Sequence, residues 1–129
     1  MVSRVLITDD EERIIRNIKV IFDEMENIEV VKAQDVTSIV DFVEHERLHL
    51  IITDLRVPKV GRLEFLKQVK SMDPELPVIV VTGDASIETA VESMKEGAFD
   101  YITKPFEDGT LSVAVEKALK MRSLTMENR

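Results

Sequence analysis

The chain of 129 residues has no Cys and no Trp, and its 17 basic and 25 acidic side chains leave a net charge of −8. Without thiols there is no disulfide framework, thiolate nucleophile or cysteine-bound zinc, and the negative charge opposes direct binding to nucleic acid. No apolar run reaches membrane-spanning length and the N-terminus lacks a signal-peptide core, so a soluble cytoplasmic protein of one domain is expected.

Taken in chain order, the first predicted strand is Val5-Leu6-Ile7, followed by the acids Asp9, Asp10 and Glu11 and then by helical spacing at Ile14, Ile18, Ile21 and Met25. A second apolar run, Ile28 to Val31, leads to an N-cap candidate at Asp35 and a helix carrying Val36, Ile39, Val40 and Val43. The third run, Leu50-Ile51-Ile52, ends at Asp54 and precedes the helical positions Leu63, Leu66 and Val69. Pro77 introduces the fourth run, Val78 to Val81, after which come Thr82 and Gly83, an N-cap candidate at Ser86, and Ile87, Ala90, Val91 and Met94 at helical spacing up to Gly97. The fifth run, Phe99 to Ile102, is followed by Lys104-Pro105, an N-cap candidate at Asp108 and a helix with Leu111, Val115, Ala118 and Leu119. Residues 121–129 either prolong that helix, with Met121 and Leu124 on an apolar stripe, or fray as a polar tail.

Five strands alternating with five helices predict an α/β domain: a parallel sheet with right-handed crossovers and helices on both faces, a three-layer sandwich. In such sheets ligands bind outside the carboxyl ends of the strands. The residues at those ends are Asp9, Asp10 and Glu11, then Asp54, then Thr82 and Gly83, then Lys104. Gathered carboxylates repel unless a cation joins them, and Mg²⁺ takes hard oxygen ligands while linking carboxylates to a phosphoryl group. A carboxylate also attacks phosphorus to give an aspartyl phosphate. Asp54 is the candidate acceptor because it stands apart from the Asp9-Asp10 pair, which reads as metal ligation. Taken singly, each has a plainer reading: Asp9 and Asp10 as caps of the first helix, Thr82 as a turn residue, Lys104 as a surface lysine.

These residues carry a family resemblance. Val5-Leu6-Ile7-Thr8-Asp9-Asp10-Glu11, Asp54-Leu55-Arg56-Val57-Pro58, Val81-Thr82-Gly83 and Tyr101-Ile102-Thr103-Lys104-Pro105-Phe106 resemble the receiver domain of bacterial two-component response regulators. The resemblance implies a doubly wound, flavodoxin-like sheet of order 2-1-3-4-5, with a receiver over residues 1–120 and a helical extension or linker from 121 to 129. It implies phosphorylation of Asp54 by a partner histidine kinase, with Mg²⁺ held by Asp10, Asp54 and the main-chain carbonyl of Arg56, and by Asp9 mainly through water. Thr82 and Lys104 would bind the phosphoryl group, Tyr101 would be the aromatic switch, and the Lys104-Pro105 bond would be cis. Such a domain is a phosphoacceptor that supports only its own phosphotransfer and dephosphorylation, not an enzyme acting on other substrates. The family's usual Asp-Gly pair after the acceptor loop is replaced here by Gly61-Arg62. The stretch from Gly83 to Val91 and the ending Ala114 to Leu119 are similar to receivers of NtrC-like activators, which precede an AAA+ ATPase and a DNA-binding domain. The switching face would combine the fourth helix, fifth strand and fifth helix, controlling a C-terminal output domain that regulates transcription; a second copy of the chain is a further candidate partner.

Three other readings compete. A stand-alone regulator or degenerate receiver would act through protein contacts alone. A phosphatase of the haloacid-dehalogenase type would need Asp-x-Asp after the first strand, where this chain has Asp9-Asp10-Glu11. An FMN binder would need a Ser/Thr/Gly-rich phosphate loop there, where the acids repel phosphate. His45 and His49, the only histidines, fall away from the proposed edge and read as structural or surface residues.

Overall fold

The computed structural model describes residues 2–33, 36–54 and 63–127. Along them run β1 (Ser3–Thr8), α1 (Glu12–Asp23), β2 (Ile28–Lys32), α2 (Val36–His45), β3 (Leu50–Thr53), α3 (Glu64–Met72), β4 (Val78–Thr82), α4 (Ile87–Lys95), β5 (Asp100–Thr103) and α5 (Asp108–Glu127). The strands form one parallel sheet of order β2-β1-β3-β4-β5, with Leu6 beside Ile51 and Ile52 beside Ile79. This is the parallel α/β sheet that the alternation predicts, in the doubly wound strand order that the resemblance implies.

Period-two geometry divides the strand residues between two cores. Val5, Ile7, Leu50, Ile52, Ile79 and Val81 point to the layer of α1 and α5, meeting Ile14, Ile18, Leu111 and Val115. Leu6, Ile51, Val78 and Val80 point to the opposite layer, meeting Ile39, Leu66 and Val69 of α2 and α3. Each of these fully buried aliphatic side chains contributes roughly 1.5–3 kcal/mol relative to exposure. Covering on both faces explains why β1, β3 and β4 read as unbroken apolar runs, whereas the edge strands β2 and β5 are only partly buried.

Two sequence expectations need adjustment. Asp108 is the first residue of α5 rather than its cap: the Glu107 carbonyl accepts from the Thr110 and Leu111 amides (3.1 and 3.3 Å), leaving the Asp108 charge in the first turn, where it complements the helix dipole. The apolar stripe of α4 faces solvent: Ile87, Val91 and Met94 are 81%, 45% and 47% exposed, while Thr89 and Ser93 are buried. The N-cap candidate Asp35 lies outside the described residues. Ser86 does cap α4, accepting from the Thr89 amide, and Gly97 just beyond the helix has φ +102°, a conformation that glycine tolerates best.

The opposite end of the sheet is fastened by two groups with no motif around them. Arg122 of α5, 2% exposed, donates from Nε and Nη2 to the Leu48 carbonyl (3.2 and 3.0 Å) and from Nη1 and Nη2 to the Asp73 carboxylate (3.2 and 2.7 Å). His49 is buried, and its Nδ1 accepts the Arg4 amide at 3.0 Å. Burial, followed by the nearby Arg122, Arg47 and Arg4 charges, holds the imidazole below its ordinary value of 6.5. The folded state therefore keeps His49 neutral, and protons bind the unfolded chain first as pH falls below 6.5. Stability from this group is fully present above that value and is lost on acidification toward the lowered folded value. Urea midpoints measured against pH should flatten between neutrality and mild acid in His49→Gln; an unchanged slope would contradict the role.

Candidate functional site

Pairing of Thr8 with Thr53 ends β1 and β3 side by side, so the next residues, Asp9 and Asp54, meet at the carboxyl edge. Pairing of Thr82 with Thr103 does the same for β4 and β5, and the Lys104 amide donates to the Thr82 carbonyl at 2.8 Å. Four strand ends thus deliver the four side chains to one place.

Asp54 is fully buried, and its two oxygens are divided between two donors: the Thr82 hydroxyl donates to Oδ1 at 3.1 Å and Lys104 Nζ to Oδ2 at 2.9 Å. Lys104 Nζ also lies 2.8 Å from Asp9 Oδ2 and 3.7 Å from Glu11 Oε2. Asp9 Oδ1 accepts the Glu11 amide at 2.9 Å, so Asp9 both shapes the entry to α1 and faces the site. Asp10 is exposed, and its carboxylate approaches those of Asp9 and Asp54, with one oxygen from each within 4.8 Å of the others.

The electrostatics follow from this crowding. Burial raises the Asp9 carboxyl above its ordinary value, with the Asp54 charge adding to the effect and Lys104 and the Glu11 amide opposing it. Burial alone would lower the Lys104 ammonium, but hydrogen bonds to Asp9 and Asp54, together with their charges, outweigh it and raise it. The two directions are compatible, because one ammonium serves two buried carboxylates and leaves their mutual repulsion incompletely offset. An all-oxygen donor set with residual negative charge fits a hard divalent cation such as Mg²⁺. The Arg56 carbonyl and the loop with Gly61-Arg62 lie outside the described residues.

Tyr101 of β5 packs against the α2/α3-side core, and its hydroxyl donates to the Asp84 carbonyl in the β4–α4 loop. The Lys104-Pro105 bond is cis. His45, exposed on α2, pairs with Asp41 at 3.0 Å, and neither histidine reaches the site. Sequence reasoning placed Glu11 at this edge without giving it a contact, and it missed Arg122, which resembles any charged residue in a mixed-charge helix end.

Residues 5–116 match the model of the response regulator receiver domain. The regulatory protein AtoC of Escherichia coli K12 is 32% identical over 99% of this chain, which spans 28% of that protein. The transcriptional regulatory protein FixJ of Rhizobium meliloti is 35% identical over 87% of this chain and is spanned to 54%. Among solved structures, a receiver domain protein of Clostridium thermocellum superposes with TM-score 0.82 at 32% identity, covering 96% of this chain and 99% of that one. NtrX of Brucella abortus superposes with TM-score 0.85 at 32% identity, over 98% of this chain and 29% of its own. The domain match over residues 5–116, with the likeness of sequence and fold over nearly the whole chain, places it in the response regulator receiver domain family.

Proposed function

We propose that the chain is a phosphorylation switch in which Asp54 accepts a phosphoryl group from a partner histidine kinase. The observation that carries this reading is the division of Asp54 between Thr82 and Lys104, two donors suited to receive phosphoryl oxygens. In the transfer, an Asp54 carboxylate oxygen attacks phosphorus, the P–N bond of a phosphohistidine breaks, and the leaving imidazole nitrogen takes up a proton. Water later attacks the same phosphorus and returns the carboxylate and inorganic phosphate, so the chain turns over only its own phosphoryl group.

Asp10, Asp54 and the Arg56 carbonyl, with Asp9 through water, would hold Mg²⁺, which when bound supplies positive charge against the phosphoryl oxygens. Lys104 holds the same oxygens electrostatically, and Thr82 donates its hydroxyl to them. The added charge favours the arrangement in which Thr82 and Lys104 close on the phosphoryl group, and the face of α4, β5 and α5 reports it through Tyr101. Residues 1–120 carry the switch, and 121–129, which begin on α5 and include the buried clamp Arg122, lead toward an output domain, which in the NtrC-like arrangement is an AAA+ and DNA-binding module regulating transcription in the cytoplasm. AtoC and NtrX, both far longer than this chain, support that placement.

Acetyl phosphate with Mg²⁺ should give a single phosphoryl adduct by intact mass, and chelation of the metal should suppress it. Equal yield with and without chelator would contradict the metal's part.

A further inference from the structure

The hydrogen bonds at the start of α4 converge on one residue, Asp84, through its backbone and its side chain. The Asp84 amide donates to Thr82 Oγ1 at 3.3 Å, and the Asp84 carbonyl accepts from the Tyr101 hydroxyl. Its carboxylate faces the other way: Oδ1 accepts the Ser86 amide at 2.9 Å and Oδ2 accepts the Thr89 hydroxyl at 3.1 Å. Ser86 in turn donates from Oγ to Thr89 Oγ1 at 2.8 Å and accepts the Thr89 amide at 3.2 Å. An unbroken chain of polar contacts therefore joins Asp54, through Thr82 and Asp84, to both Tyr101 and the first turn of α4.

The packing of α4 gives this chain its weight. Its buried face consists of Thr89 and Ser93, and the Ser93 hydroxyl is buried with no hydrogen-bond partner among the described residues. Its apolar side chains Ile87, Val91 and Met94 face solvent. Little hydrophobic burial holds the helix in place, so directional hydrogen bonds at its N-terminus carry a larger share of its positioning.

We infer that Asp84 is a positioning residue: its carboxylate latches the first turn of α4 to the β4–α4 loop and thereby presents the Asp84 carbonyl to Tyr101. The inference rests on the proposed Asp54–Thr82–Tyr101 switch for its meaning, but the latch itself belongs to the unphosphorylated chain. Asn at this position keeps the geometry, since its carbonyl oxygen accepts the Ser86 amide and its amide group donates to Thr89 Oγ1. Ala removes both contacts, and Thr89→Val removes one while preserving shape.

Tyr101 is the single tyrosine in a chain without tryptophan, so its ring gives one set of NMR signals that reports the ratio of docked to undocked ring. Without any phosphoryl donor, Asp84→Ala and Thr89→Val should each lower that ratio about fivefold or more, the usual effect of one lost hydrogen bond, while Asp84→Asn stays near the wild-type position. Thr89→Val carries the test should Asp84→Ala not fold. Wild-type Tyr101 signals in Thr89→Val and in folded Asp84→Ala would overturn the latch. Failure of wild type to respond to beryllofluoride counts against the phosphoacceptor reading alone, because the latch is read on the unliganded chain.

Discussion

Arg122→Ala is expected to lower the unfolding free energy by about 3 kcal/mol, at the lower end of the cost of breaking a buried ion pair. The substitution strips four hydrogen bonds from the Leu48 carbonyl and the Asp73 carboxylate at once, leaving Leu48 without these donors and Asp73 without this cation. In a domain of this size the melting temperature should fall by roughly 10 °C. Arg122→Lys should recover only part of this loss, because an ammonium cannot span a carbonyl and a bidentate carboxylate together. The His49 imidazole should also move back toward its ordinary value, since Arg122 is the leading charge that lowers it. Thermal melts of the two variants, with a histidine NMR titration, check these outcomes. A melting temperature unchanged in Arg122→Ala would contradict the clamp.

Lys104→Ala carries the second large effect, and its sign depends on the metal. Removing the ammonium leaves Asp9 and Asp54 without the cation they share. Without metal, the variant should be destabilised by the repulsion that Lys104 now offsets. Loss of one positive charge a few ångströms from the carboxylates should tighten Mg²⁺ binding roughly tenfold, even with solvent screening most of the interaction. Mg²⁺ should therefore rescue the variant's stability more than it raises that of wild type. Phosphorylation should still reach Asp54 but no longer shift the Tyr101 ring signals, since the phosphoryl oxygens lose the group that draws β5 toward them. Calorimetric Mg²⁺ titration and NMR of the phosphorylated variant separate these outcomes; weaker Mg²⁺ binding in Lys104→Ala would contradict the charge argument.

Much of this architecture is legible in the sequence because the parallel sheet is covered on both faces, which turns β1, β3 and β4 into plain apolar runs ending at their chemical residues. Most of the site is legible for the same reason: Asp9 and Asp54 directly follow β1 and β3, and Thr82 closes β4, while Lys104 follows the edge strand β5. Residues acting across long sequence separations are hidden. Arg122 reaches Leu48 and Asp73 only through the tertiary fold, and a charged residue near a helix end gives no sign of burial. The facing of α4 misleads because helical periodicity locates a stripe but not the side on which the core lies. There, hydrogen bonding by Thr89 with Asp84 and Ser86 places the polar face inward, against the rule that apolar residues seek the interior. Asp84 is visible as a loop acid, but its two acceptors become a latch only once Ser86 and Thr89 are brought beneath it.

The proposed switch turns on transfer of the phosphoryl group to Asp54. Its most direct test is peptide-level mass mapping of the chain after treatment with acetyl phosphate and Mg²⁺, run in parallel on Asp54→Asn. A single adduct confined to the peptide containing Asp54, and absent from the variant, is the predicted result; an adduct of equal yield in Asp54→Asn, or one located on Asp9 or Asp10 in wild type, would contradict it.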